Sequence, residues 1–180
     1  MIQISEEGLA RANALLRHIP GAFPKAVARA ANRALDGMRT DAAKETRQRY
    51  FVTAADVRKT ITLRKAGPGN MQAAMISRGK RRGLEEYRVT PHAGKRGGAK
   101  AAVKREGGLK PIPKAFFLPG KKPPFIRVGK ARREIRALRG PAVPQILKNE
   151  ETVEALEMGA AERFAKRLNH EVMRELGVTR

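Results

Sequence analysis

The chain has 180 residues, 41% of them apolar but only 4% aromatic and none of them Trp, which allows one modest core built from Ala, Leu, Val and Ile. Its 39 basic and 17 acidic residues leave a net charge of +22, an imbalance that attracts polyanions at long range. Without Cys it has neither a disulfide framework nor a thiolate metal site, and no uncharged apolar run approaches the roughly 18 residues of a membrane span.

Ile2 and Ile4 alternate with polar neighbours and predict a short first strand. No basic lead and apolar run precede Glu7, so an ordinary signal peptide is not expected, and synthesis in the cytoplasm is. Ser5, Glu6 and Glu7 open a short helix with Leu9, Ala12, Leu15 and Leu16 on one side, which Ile19-Pro20-Gly21 ends. A long amphipathic helix is predicted from Ala22 to Tyr50, because Val27, Ala31, Leu35, Met38 and Ala42 recur every three or four residues. Ala26, Ala28, Ala30, Ala31, Ala34, Ala42 and Ala43 make its inward face small, so a neighbouring helix is expected to lie close. Arg29, Arg33, Arg39, Lys44, Arg47 and Arg49 solvate the other side.

Thr53 followed by Asp56 resembles a capping box ahead of Val57 and Ile61. The clearest hairpin is Ile61 to Ala66, a turn at Gly67-Pro68-Gly69-Asn70, and a return over Met71 to Arg78. Leu84 to Thr90 suggests another strand, and the glycine- and cation-rich run from Pro91 to Lys100 a mobile loop. Further short β-like runs, Ala101 to Lys104, Ala115 to Leu118, Phe125 to Val128 and Glu134 to Leu138, are punctuated by prolines that suit edge strands and loops. Asn149 is placed as an N-cap with Glu150 and Glu151 behind it. Val153, Leu156, Ala160, Phe164, Leu168, Val172 and Leu176 then keep a helical period to Gly177, with Glu162 and Lys166 spaced as an i,i+4 pair. This last helix is expected on the small face of the long one.

The expected fold is therefore α+β: long N-terminal and C-terminal helices packed on a small antiparallel β-sheet, with extended basic loops. The chain reads as a single domain over residues 1–180, helical over 1–60, a basic strand-and-loop region over 61–140 and a C-terminal helix over 141–180. The charge is uneven, for residues 61–140 hold 22 basic and 4 acidic residues.

Catalysis needs convergent groups, and few are available. His18, His92 and His170 are scattered. His170-Glu171 opens a zinc-protease pattern whose second histidine is replaced by Arg174. Gly120-Lys121 is no phosphate loop, since Ala115 and Lys122 stand where Gly and Ser or Thr are required. Glu85, Glu86, Glu106 and Glu134 are too few and too spread to suggest a nuclease metal site. No catalytic residue, metal ligand or cofactor is nominated, and an enzyme acting on nucleic acid is the weakest reading. Arg78, Lys80, Arg81, Arg82, Lys95, Arg96, Lys100, Lys104 and Arg105 are the candidate nucleic-acid-binding residues. With Tyr87 the only aromatic among them and no helix-turn-helix signature, they imply salt-sensitive, sequence-blind contact with duplex backbone. The alternative is a basic loop that orders against an acidic protein.

Asp56 to Ala66 (DVRKTITLRKA), with Ala28 to Leu35 (ARAANRAL) upstream and Gly140 to Gln145 (GPAVPQ) downstream, resembles the minor tail protein Z, or tail completion, family of tailed phages and prophages. The similarity runs from about Ala28 to Gly177. It implies a structural virion protein of the head-to-tail neck, made in the bacterial host, that acts late in tail assembly beside other neck and tail proteins. Such components are commonly rings, often sixfold, around the DNA channel. Phe125, Arg127, Arg132, Arg133, Arg136, Arg139, Pro141 and Pro144 are then the candidate subunit-interface residues. A rival of another class is a stand-alone, sequence-nonspecific DNA-binding protein.

Overall fold

The computed structural model describes residues 6–90, 98–129 and 134–178. The predicted strand at Ile2 and Ile4 lies outside them. The fold is α+β, with helices towards both ends of the chain and small antiparallel sheets between. The chain divides into two compact units, one formed by residues 1–42, 61–77 and 148–180, the other by residues 43–60 and 78–147.

In the first unit, α1 (Glu6–Leu16), the first three quarters of α2 (Ala22–Arg49) and α5 (Glu150–Glu175) share one core. Ala22, Ala26, Ala30 and Ala34 present the small stripe of α2 to Phe164, Leu168 and Val172 of α5, with Ala12 and Leu16 of α1 closing the cluster. Alanine on one side and Phe or Leu on the other are complementary in size within this cluster. The ends of α5 are formed differently. Asn149 occupies the N-cap position but its side chain makes no capping bond there. At the other end Gly177, at φ +77°, donates to Arg174 O while Val178 donates to Met173 O, a Schellman stop. Glu162 and Lys166 form no ion pair; Arg163 of α5 instead reaches Asp41 of α2, and Arg167 and Arg174 flank Glu171.

Glu171 is a buried charge in this unit, 1% exposed among three arginines: Arg167 at 2.9 Å, Arg174 at 3.5 Å and Arg29 of α2 at 3.7 Å. Arg29 also reaches Glu175, and Arg163 pairs with Asp41, so α5 is tied to α2 at both ends of their contact. The Arg163–Asp41 bond raises the guanidinium pKa above its ordinary value.

The hairpin of β1 (Ile61–Arg64) and β2 (Ala74–Ser77) completes the unit, in the register Ile61 to Ser77 and Arg64 to Ala74. It is shorter than the alternating sequence suggests. Gly67 and Asn70 exchange two backbone bonds across the turn, and Ala66 leaves the ladder to bond Asn32 of α2. The Asn32 amide donates to Ala66 O at 2.9 Å and accepts from Ala66 N at 2.8 Å.

In the second unit two separate three-stranded antiparallel sheets stand where the sequence suggests parts of one sheet. The first orders β3 (Arg88–Thr90), β4 (Lys100–Ala102) and β5 (Lys110–Pro111) with β4 central. The second orders β6 (Ala115–Phe117), β7 (Pro124–Arg127) and β8 (Ile135–Ala137) with β7 central. Pro124 is thus in a central strand, against expectation. It is the first residue of that strand, so its missing N–H breaks no ladder, and its carbonyl accepts from Leu138 N. Leu118-Pro119-Gly120-Lys121 links β6 to β7 as a tight turn, with Gly120 at φ +71° and Lys121 N bonded to Leu118 O.

Leu84–Glu86 is a 3₁₀ turn, not a strand, because Glu86 reaches back to Gly83 N and Leu84 N is taken by Leu138 O. Helix α3 (Ala54–Thr60) packs on α4 (Val143–Leu147), burying Val57, Val143, Ile146 and Leu147. Beside them the buried Tyr87 ring lies against Gly140, and its hydroxyl donates to Pro141 O at 2.7 Å. Burial pushes the Tyr87 phenol above its usual pKa.

Candidate nucleic-acid interface

The two units differ sharply in charge. The first contains 14 basic and 11 acidic residues, a net of +3; the second contains 25 and 6, a net of +19, which together account for +22. Acids of the first unit are matched by cations, whereas the cations of the second outnumber its acids about fourfold.

The candidate residues do not form one set. Lys95 and Arg96, with most of the run expected to be a loop, lie outside the described residues; of that run Ala99 is buried and Lys100 begins β4. Arg78, Lys80 and Arg81 are exposed on an extended link whose start is fixed by a bond from Arg78 N to Thr60 O, and whose Gly79 lies against Thr60 and Pro144. Arg82, one residue further, turns inward. Its side chain is 14% exposed and its Nη2 lies 3.0 Å from Asp56 and 2.6 Å from Glu86. Asp56 accepts first from the Thr53 hydroxyl, at 2.6 Å, and with Arg82 beside it the carboxyl is held below the ordinary carboxylate pKa. The Thr53–Asp56 pattern thus caps α3 and anchors Arg82 at once.

Lys104 and Arg105 follow β4 to the C-terminal end of α2. Phe51 N donates to Val103 O, Arg105 N donates to Arg49 O, and Tyr50 bridges Lys104. Arg105 Nε also donates to Arg47 O at 2.7 Å, satisfying a carbonyl at the negative end of the helix. This pairing brings Arg105 to Phe51, and Arg88 of β3 reaches the same ring. Neither Arg88 nor Phe51 stands out in the sequence, since the contact depends on residues 54 positions apart in the chain being folded together at the helix end. Among the described residues Arg78, Lys80, Arg81, Arg88, Lys100, Lys104 and Arg105 have no carboxylate within 4.0 Å, in contrast to Arg82.

Of the candidate subunit-interface residues, Arg132 and Arg133 lie outside the described residues. Phe125 is half-buried on β7 opposite Phe116 and Ala137, Arg127 lies over the Phe116 ring, and Arg136 is exposed opposite Ile126. Arg139 is exposed, bridged through its backbone to Gly83. Pro141 and Pro144 are half-buried and make the intrachain contacts with Tyr87 and Gly79 described above.

Among the described residues no group of three or more His, Cys, Asp or Glu side chains is arranged to hold a metal ion, and no helix is long and apolar enough to cross a membrane. What the second unit presents is a surface of fixed backbone and excess cations.

The stretches that resemble a known family supply internal ties of the chain: Asn32 to Ala66, Asp56 to Arg82, and Tyr87 to Gly140 and Pro141. No curated protein and no solved structure matches the chain. A family model described as prophage minor tail protein Z (GPZ) matches residues 7–180, nearly its whole length. The chain therefore belongs to the prophage minor tail protein Z family, structural proteins of the phage tail.

Proposed function

We propose that this tail protein acts at the neck of the virion, as a tail-completion or connector component that forms a homo-oligomeric, hexameric ring around the DNA channel. The basic middle segment faces the DNA in this reading, and no catalysis is involved. The observation that carries it is the unmatched charge of the second unit, +19, with Arg78, Lys80, Arg81, Arg88 and Arg105 free of carboxylate partners among the described residues. Such a surface is stable beside a phosphate backbone, which also releases condensed counterions on contact. The alanine-rich, aromatic-poor core supports a ring, because burial against neighbours supplements what the monomer lacks. Phe125, Arg127, Arg136, Arg139, Pro141 and Pro144 are the described members of the surface proposed to meet those neighbours and other tail proteins.

Cryo-electron microscopy of purified particles tests this directly. A ring between head connector and tail tube, with residues 78–105 lining the channel, is the expected result. The same ring with those residues against acidic protein removes the DNA contact, and absence of the chain from particles favours the stand-alone DNA-binding protein.

A further inference from the structure

The cations of the second unit are unequal in one respect: two of them are held on one aromatic ring. Arg105 Cζ lies 4.8 Å and Arg88 Cζ 5.7 Å from the centroid of the Phe51 ring, so the two guanidinium groups are within about 11 Å of each other. Arg105 is fixed further by its Nε bond to Arg47 O and by the backbone bond to Arg49 O, neither of which uses its terminal nitrogens. Arg88 is carried by β3, whose register with β4 sets Arg88 opposite Ala102. No carboxylate among the described residues lies within 4.0 Å of either. Two like charges gathered on one ring without a counter-ion are a costly arrangement by themselves; the ring's negative face offsets part of that cost, and an anion would offset the rest.

We propose that Arg88 and Arg105, stacked on Phe51, form a phosphodiester clamp that makes the principal contact of this chain with duplex DNA. The inference rests on the DNA-facing reading of the basic segment and adds which groups make the contact. Guanidinium forks donate to phosphate oxygens in pairs, and forks already immobilised on a ring lose less freedom on binding than lysines on an open link. Backbone phosphates of one strand follow one another about every 3.4 Å of duplex axis, so a pair of guanidinium groups on this scale finds phosphate partners whatever the sequence. Arg78, Lys80 and Arg81, on the extended link, then add diffuse attraction only.

The test is fluorescence anisotropy of the full chain with a short labelled duplex of arbitrary sequence, over a salt series. Arg88→Gln is the cleanest variant, since Arg105 also holds the backbone of α2 and its loss would disturb the helix end. Phe51→Leu removes the ring with no change in charge, and Lys80→Gln is the charge-matched control off the ring. Arg88→Gln is expected to weaken binding about fivefold and to lower the slope of log affinity against log salt by about 0.9, the value of one phosphate contact. Phe51→Leu is expected to weaken it about threefold although the net charge is unchanged. Lys80→Gln is expected to stay within about twofold of the parent. Circular dichroism confirms the fold of each variant, and if Phe51→Leu fails to fold, Arg88→Gln against Lys80→Gln decides. Full binding by Arg88→Gln, or equal losses in Arg88→Gln and Lys80→Gln, overturns the clamp while leaving the DNA reading in place. No binding by the parent at low salt overturns that reading and the clamp with it. If polyglutamate displaces the duplex at equal charge and depends more than DNA does on Arg88, the clamp is a protein-docking site and the proposal fails.

Discussion

Replacing Asn32 with Ala removes both bonds by which α2 holds Ala66, where the hairpin leaves its ladder. Ala66 is 8% exposed, so its N–H and C=O are left without partners in a place water reaches poorly. Orphaning a buried backbone group costs about 1–3 kcal/mol. Asn32 is itself half-buried, so water recovers part of that, and alanine is the better helix former by about 0.5 kcal/mol. The net expectation is a loss of about 2–3 kcal/mol, which for a chain of this size lowers the melting temperature by about 4–12 °C. Thermal unfolding followed by circular dichroism measures it, with urea titration as the second probe. Asn32→Asp sharpens the test: it keeps an acceptor for Ala66 N but sets a second oxygen against Ala66 O, so it is expected to be no better than Asn32→Ala near neutral pH. If Asn32→Ala melts within about a degree of the parent, or if Asn32→Asp matches the parent, the two-bond tie is not what holds the hairpin to α2.

Gly140→Ala is expected to cost about 1–3 kcal/mol in urea unfolding, because the added Cβ would fall 2.5 Å from Cε2 of a buried Tyr87 ring that its hydroxyl bond to Pro141 keeps from moving aside. Glu171→Ala is expected to cost about 2 kcal/mol, below the roughly 3–5 kcal/mol of breaking a fully buried ion pair, since the three arginines it leaves are 37–49% exposed and return to water. Glu171→Gln, which keeps the volume, is expected to recover part of that loss in the same melt. For Asp56 the folded pKa lies below the ordinary value of 3.8, so its contribution is present above that pH and is lost as pH falls through the folded pKa. The stability difference between Asp56→Asn and the parent is therefore expected in full at pH 7 and to vanish on acidification through the folded pKa of Asp56, read from urea midpoints across pH.

The helices were legible because burial along them repeats: the alanine stripe of α2 and the Phe164, Leu168, Val172 stripe of α5 are complementary in size, and periodicity alone names them as partners. Gly177 as the stop of α5 and the Gly67–Asn70 turn were equally local. Pairing between distant segments was not. Short strands broken by Gly and Pro show no partner in their own residues, so two three-stranded sheets could be mistaken for pieces of one. Charge counting likewise treats Arg78, Arg81 and Arg82 as equals, although Asp56, from a helix 26 residues away, turns Arg82 inward. Asn32 sits in the middle of a helix and looks like one more solvated polar residue. Only the fold, which sets Ala66 beside it, reveals its use.

The division of charge between the units gives ionic strength two opposite effects on one molecule. In the first unit salt screens attractions, Arg29 with Glu175 and Arg163 with Asp41 among them, and so loosens it. In the second it screens mainly repulsion among 25 cations and 6 anions, and so tightens it. Free in dilute buffer, the second unit is the strained part of the chain. A polyanionic surface held close to it does locally what concentrated salt does everywhere, relieving the second unit while leaving the ion pairs of the first intact.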